Sequence, residues 1–181
     1  MPTLHDVRFS ALRNALYHTA RRRTLDAKDR VGSFLVILFG AGAATDLAVA
    51  LHPMAPKVLA AIAAAIGALQ LVFAYGSRAR DHELLQRRYY DLLAEMDEFG
   101  DDQSKIPGWC GALTKIAGAE PPSRLLPESQ AYNAAASALG VEKDHQLCIP
   151  LWLHVVGHLI ACDGHRLDTV AEGRAKKANP K

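Results

Sequence analysis

The chain of 181 residues has only three cysteines, Cys110, Cys148 and Cys162. Their number is odd, their spacing is wide and no CxxC pair occurs, so they read as reduced thiols in a cytoplasmic setting rather than as a disulfide framework. A Walker loop, a GxGxxG turn and an HExxH helix are all missing. The absence of these motifs removes the usual signals for a phosphate-cradling loop, a dinucleotide fold and a zinc-protease helix. No segment repeats, and no tract is of low complexity. Neither sign of charge dominates, since the formal net charge is +2 and the mean hydropathy is near zero. Taken as an average, this is the composition of an ordinary soluble domain. Neither an enzymatic activity nor a cofactor is expected from it.

The informative absence is local. Between Val31 and Ala55 the only Asp, Glu, Lys, Arg or His residues are Asp46 and His52, and from Val58 to Ser77 there is none. A bilayer core of ~30 Å takes ~20 apolar residues in a helix, longer than most buried helices of such purity. The second run meets that length, although it is rich in Ala and Gly. The first is strictly uncharged only from Val31 to Thr45 and reaches spanning length by carrying Asp46 near its far end. Two membrane spans are therefore expected in preference to the core of a soluble all-helical protein. Arg21, Arg22, Arg23, Lys28 and Arg30 precede the first run, Arg78, Arg80, Arg87 and Arg88 follow the second, and the turn carries Lys57 alone. The positive-inside rule then puts both termini in the cytoplasm, in a multi-pass protein of the inner membrane. The two prolines of His52-Pro53-Met54-Ala55-Pro56 stop helix continuation and leave room for little more than the reversal. Ala48-Val49-Ala50 resembles a signal cleavage site, but the basic helical segment before the apolar run is too long for a signal peptide.

Helical patterns continue on both sides of the spans. Leu85, Tyr89, Leu92, Met96 and Phe99 recur at steps of four and three, as in a coiled-coil seam, and Phe9, Leu12, Leu16 and Thr19 form one stripe upstream. Residues 1–99 are accordingly expected to be a two-span hairpin with cytoplasmic coiled-coil-like extensions. Residues 100–181 are expected to be a cytoplasmic C-terminal module of short helices: Trp109 to Ala117, Glu128 to Leu139 and Ile149 to Cys162. The tail "EGRAKKANPK" is polar and basic and is expected to fray. The fold class is an all-α membrane protein, a two-span transmembrane helical hairpin with a small C-terminal helical module.

A basic helix carrying Arg13, Asn14, Tyr17, His18, Arg21 to Arg23, Asp26 and Asp29, two spans with a short turn, and the charged helix "SRARDHELLQRRYYDLLAEM" together resemble the SLATT domains. The resemblance covers about residues 8–98 and rests on architecture and texture. It implies a two-span bacterial effector of anti-phage or conflict defence, which oligomerises into a pore and permeabilises the membrane when triggered. It also implies a separate nucleotide-sensing or signal-producing protein as partner, since nothing in this chain resembles a nucleotide pocket. The other readings are a structural, adaptor or holin-like hairpin anchoring a cytoplasmic partner, and a membrane enzyme using a histidine-rich helix.

Asp46 and Gln70 are the candidate pore-lining residues. Asp46 either snorkels to the outer headgroups or faces a water-filled lumen, and Gln70, opposite roughly residue 37, either bonds across helices or lines that lumen. Gly40 and Gly42 in the first run, with Ala61, Ala64, Ala65, Gly67 and Ala68 in the second, form small surfaces for close helix packing, including packing between copies in a homo-oligomer. Arg21, Arg22, Arg23, Lys28, Arg30, Arg78 and Arg80 are placed to meet anionic lipid headgroups rather than nucleic acid. In "CIPLWLHVVGHLIACDGH", His154, His158 and Cys162 have a spacing that could hold zinc, but the helix is so apolar that packed, hydrogen-bonded histidines are the stronger reading.

Overall fold

The computed structural model describes residues 2–100, 102–156 and 166–178, with Val155, Val156 and Lys177 described by their backbone alone. Among these residues the chain is all-helical: α1 (Leu4–Ala43), α2 (Asp46–Leu51), α3 (Ala55–Phe73), α4 (Tyr75–Phe99), α5 (Ile106–Ala117), α6 (Leu125–Ala138), α7 (Leu151–Val156) and α8 (Val170–Ala178). It divides into two compact units, one joining residues 1–20 to residues 83–181 and the other comprising residues 21–82. The outer parts of α1 and α4 share a buried core with α5.

In the first unit, α1 opens at a reciprocal cap. The Thr3 N–H donates to Asp6 Oδ2 at 2.8 Å and the Asp6 N–H to Thr3 Oγ1 at 3.2 Å. Val7, Ala11 and Ala15 of α1, Tyr89, Leu92 and Met96 of α4, and Ile106 and Trp109 of α5 form one buried cluster. The buried stripe of α1 is therefore not Phe9, Leu12, Leu16 and Thr19, which are only half-buried. Alanine wins the central position because it lets α1 approach the large side chains of α4 closely, and the bulkier stripe is left to other neighbours. Phe9, for example, meets Tyr132 of α6 edge to face at 5.2 Å. The seam of α4 is buried at Leu85, Tyr89, Leu92 and Met96, whereas Phe99 is 41% exposed. The helix ends there, closed by Gly100 at φ +58°.

Residues 166–178 carry more structure than their composition suggests. Thr169 and Glu172 form a second reciprocal cap, at 2.8 and 3.2 Å, and start α8 inside the segment expected to fray. Arg174 pairs with Asp144 and Lys176 with Asp168. Residues 146–148 run beside 168–170, with Cys148 N–H bonded to Asp168 O at 2.8 Å and Val170 N–H to Gln146 O at 2.9 Å. The Asn133 amide pairs with both backbone groups of Leu147, accepting at 2.7 Å and donating at 2.9 Å.

The second unit is a helical hairpin. Gln70 meets Asp29 and Ser33, Gly67 faces Val36 and Gly42 faces Leu59, so α1 and α3 run antiparallel. Gln70 therefore lies opposite residues 29–33 and not residue 37. The shift arises because the reversal is longer than the His-Pro-Met-Ala-Pro turn. It begins at Ala44, where α1 stops with backbone bonds from Ala44 to Ala41 and from Thr45 to Gly42, and the Thr45 hydroxyl also donates to the Gly42 carbonyl at 2.8 Å. The first run is consequently two helices, and Asp46 opens the second of them. Pro56 sits in the first turn of α3, where its missing N–H costs nothing.

Candidate functional site

The surface of the hairpin unit is what sets this protein apart chemically. At ~1.5 Å per residue, α3 alone measures ~28 Å, close to the thickness of a bilayer core. The stretch Ala55–Phe99 is long and apolar enough to cross a membrane, and 6% of its most apolar eighteen residues is buried. Val58, Leu69, Leu71, Val72 and Phe73 of α3 all project outward, Leu71 with 85% of its surface free. Val31, Phe34, Ile37 and Leu38 of α1 and Leu47, Val49 and Leu51 of α2 do the same. A monomer in water rarely carries an apolar surface of this extent.

One polar contact holds the hairpin together at the end near Asp29. Gln70 Nε2 donates to the Asp29 carbonyl at 3.0 Å and to Ser33 Oγ at 3.1 Å. Gly32 makes the space for it, since a Cβ there would lie 2.7 Å from Nε2. Gln70 thus makes a bond across the helices of the hairpin. Close by in the chain, Lys28 lies over the Tyr75 ring at 5.9 Å. Ala74 joins α3 to α4 in the left-handed conformation, φ +46°, and its N–H returns to Gln70 O at 2.9 Å.

Asp46 is exposed at the first turn of α2, where a carboxylate is favoured by the helix dipole. It makes no ion pair or hydrogen bond among the described residues. Of the small residues, Gly42 and Gly67 touch the opposite helix of the same hairpin, and the buried alanine of α3 is Ala63. Gly40 has open space around it, and Ala61, Ala64, Ala65 and Ala68 are exposed. Arg23, Arg30, Arg78 and Arg80 are exposed as well, whereas Arg21, Arg22 and Lys28 are half-buried, Arg22 lying 3.7 Å from Asp26.

A second constellation lies in the other unit and escaped the sequence pattern as a site. His18 is fully buried, its ring stacked on Tyr89 at 5.7 Å and met edge-on by Tyr17 at 5.1 Å. Its Nε2 is 3.1 Å from Glu120 Oε1, which also accepts the Tyr89 hydroxyl, and Asn14 Nδ2 donates to the Tyr89 oxygen at 3.1 Å. Arg13 Nε donates to Asn14 Oδ1 at 3.2 Å. Burial raises the Glu120 carboxyl, but the hydrogen bonds from His18 and Tyr89 and the charges of His18 and Arg13 outweigh it and hold the group below its ordinary range. Burial, and then the bond to Glu120, push the Tyr89 phenol up. An ionised carboxylate can only accept, so the His18 proton in this bond sits on Nε2. His18 and Tyr89 are buried and the Glu120 side chain is 19% exposed. The effect of the set is to tie α1 and α4 to the loop before α6. The signal available was the placement of His18 and Tyr89 on apolar helical faces, but only folding brings Glu120 to them.

His154 is exposed on α7, while His158 and Cys162 lie outside the described residues. Among the described residues no three His, Cys, Asp or Glu side chains gather as metal ligands, and Cys110 and Cys148 carry free thiols. No protein-family model, curated protein or solved structure matches the chain.

Proposed function

We propose that this protein is an inner-membrane effector whose hairpin inserts in the bilayer, assembles with copies of itself and permeabilises the membrane. The observation that carries the reading is the outward apolar surface of α3 together with the charge-free interval from Val58 to Ser77. In water that surface would be exposed at a cost of about 25 cal/mol per Å2, whereas in lipid it is matched. α3 makes one crossing. The other is made by the apolar end of α1 with α2, the break at Ala44–Thr45 lying where α1 alone has run only ~20 Å from Val31. Its freed backbone groups are met by the Thr45 hydroxyl and the tightened last turn. Both termini are then cytoplasmic, with the exposed arginines before and after the hairpin at the headgroups.

Two helices cannot enclose a channel, so the permeabilising species is a homo-oligomer. Gly40, Ala61, Ala64, Ala65 and Ala68, small and uncovered within one chain, suit contact between copies. The resemblance to SLATT domains supports a role in bacterial conflict defence with a separate signal-producing partner. Induced expression in cells loaded with a membrane-potential dye tests the reading. Rapid depolarisation on activation is expected, and full retention of potential at confirmed membrane insertion would leave the adaptor or anchor role instead.

A further inference from the structure

The unit formed by residues 1–20 and 83–181 carries an open cavity of about 380 Å3 between α1, α6 and the segment before α8. The volume falls in the range of small-molecule sites, roughly 300–1,000 Å3. Leu125, Leu147 and Leu167 supply apolar wall. Four charged side chains also line it, and their states differ. Arg166 is paired with Glu172 at 3.1 Å, and Glu172 is further held by the Thr169 N–H. Arg13 and Glu128 are less committed. Arg13 donates only through Nε, to Asn14, so its two terminal nitrogens have no hydrogen bond among the described residues. Glu128 uses Oε2 to accept from Ser123 at 2.7 Å and leaves Oε1 unpaired. The Tyr132 hydroxyl, also in the lining, has no hydrogen-bond partner among the described residues either.

We propose that this cavity binds a small zwitterion with an apolar body, of the class of a free α-amino acid. Its carboxylate lies on the terminal nitrogens of Arg13, its ammonium on Glu128 Oε1, and its side chain among the three leucines. Arg13 and Glu128 are both half-buried, and a half-buried charge is matched best by an opposite one with hydrogen bonds. A simple anion would satisfy Arg13 but stand against Glu128, a simple cation would do the reverse, and a neutral apolar molecule would leave the Arg13 terminal nitrogens and Glu128 Oε1 without a hydrogen bond among the described residues, although the Arg13 charge also acts on Glu120. The cavity lies within the unit of residues 1–20 and 83–181 and does not depend on the membrane reading.

Calorimetric titration of the intact, detergent-solubilised protein separates these cases. L-leucine carries both charges, N-acetyl-L-leucine only the carboxylate and L-leucinamide only the ammonium. Saturable binding of L-leucine is expected, with each derivative weaker by about tenfold or more, the loss of one charge-assisted pair. Glu128→Gln should abolish the advantage of L-leucine over N-acetyl-L-leucine. Arg13→Gln should abolish its advantage over L-leucinamide. Opposite changes of this kind cannot come from misfolding, which would weaken all three ligands together. Equal affinity for L-leucine and either derivative in the unmodified protein would overturn the proposal. So would tighter binding of inorganic phosphate, or no saturable heat from L-leucine or L-phenylalanine up to about 10 mM, where a site of about 1 mM would already fill.

Discussion

Gln70 occupies the space that a side chain on Gly32 would need: a methyl group there would lie 2.7 Å from Gln70 Nε2 and 2.8 Å from its Cδ. The glycine and the amide are therefore one device, the first allowing the second to reach the Asp29 carbonyl and Ser33. Gly32→Ala should displace Gln70 and destabilise the hairpin by about 1 kcal/mol, the scale of the lost hydrogen bonds, because the flexible end of the glutamine can move aside. Gln70→Ala alone should cost about 1 kcal/mol, and the double variant should be little worse than Gly32→Ala. Thermal unfolding in mild detergent measures the cycle, and strict additivity would show that the two residues do not interact.

Ala74, at the junction of α3 and α4, carries the one positive φ of a non-glycine residue among the described residues. An L-residue in that conformation costs about 1–2 kcal/mol, part of which glycine recovers. Ala74→Gly should raise stability by about 0.5–1 kcal/mol, or a few degrees in Tm for a chain of this length. Ala74→Val should lower it. A drop in Tm for the glycine variant would mean that the junction is helical in solution.

The Glu120 carboxyl is held below its ordinary range in the folded protein, so its contribution to stability is complete above the unfolded value near 4.5 and is lost as pH falls through the folded one. Tyr89 acts at the other end, its raised phenol giving a contribution lost as pH climbs through and beyond the ordinary tyrosine range. Glu120→Gln should cost about 1–3 kcal/mol at pH 7 and flatten the acid limb of a stability profile followed by circular dichroism. Tyr89→Phe should flatten the alkaline limb. An acid limb unchanged in Glu120→Gln would assign that sensitivity to other carboxylates.

If copies of the hairpin surround a lumen, each contributes one Asp46, and a ring of carboxylates concentrates cations. Asp46→Asn should preserve insertion and oligomer size and lower cation preference, more strongly at low salt where screening is weaker. Reversal potentials under a salt gradient in planar bilayers provide the measurement. An unchanged potential in a conducting variant would remove Asp46 from the lumen and leave it among the outer headgroups.

Topology is testable without any pore. Alkaline phosphatase fused after Lys181 should be inactive, and green fluorescent protein at the same place should be bright, since both termini are expected in the cytoplasm. Active phosphatase would reverse the orientation and, with it, the headgroup contacts assigned to Arg23, Arg30, Arg78 and Arg80.

Several features were legible in the residues themselves because each is a sum over neighbours in the chain. The absence of charge from Val58 to Ser77, the seam from Leu85 to Met96 and the helix that Gly100 ends are local patterns, and local patterns survive any packing. The capping pairs Thr3 with Asp6 and Thr169 with Glu172 are local too, but neither is read from the sequence, where the tail is expected to fray, and they become visible only in the structure. What only the tertiary structure decided involves distant partners. His18 and Glu120 are 102 residues apart and Tyr89 and Glu120 are 31 apart, and no periodicity reports such a meeting. Competition between faces was also settled in three dimensions: α1 buries its alanines against α4 because close approach to Tyr89, Leu92 and Met96 outweighs the larger side chains of its other stripe. The same holds for the partner of Gln70, which moved from residue 37 to Asp29 and Ser33 once Thr45 ended α1 and drew α2 into the reversal.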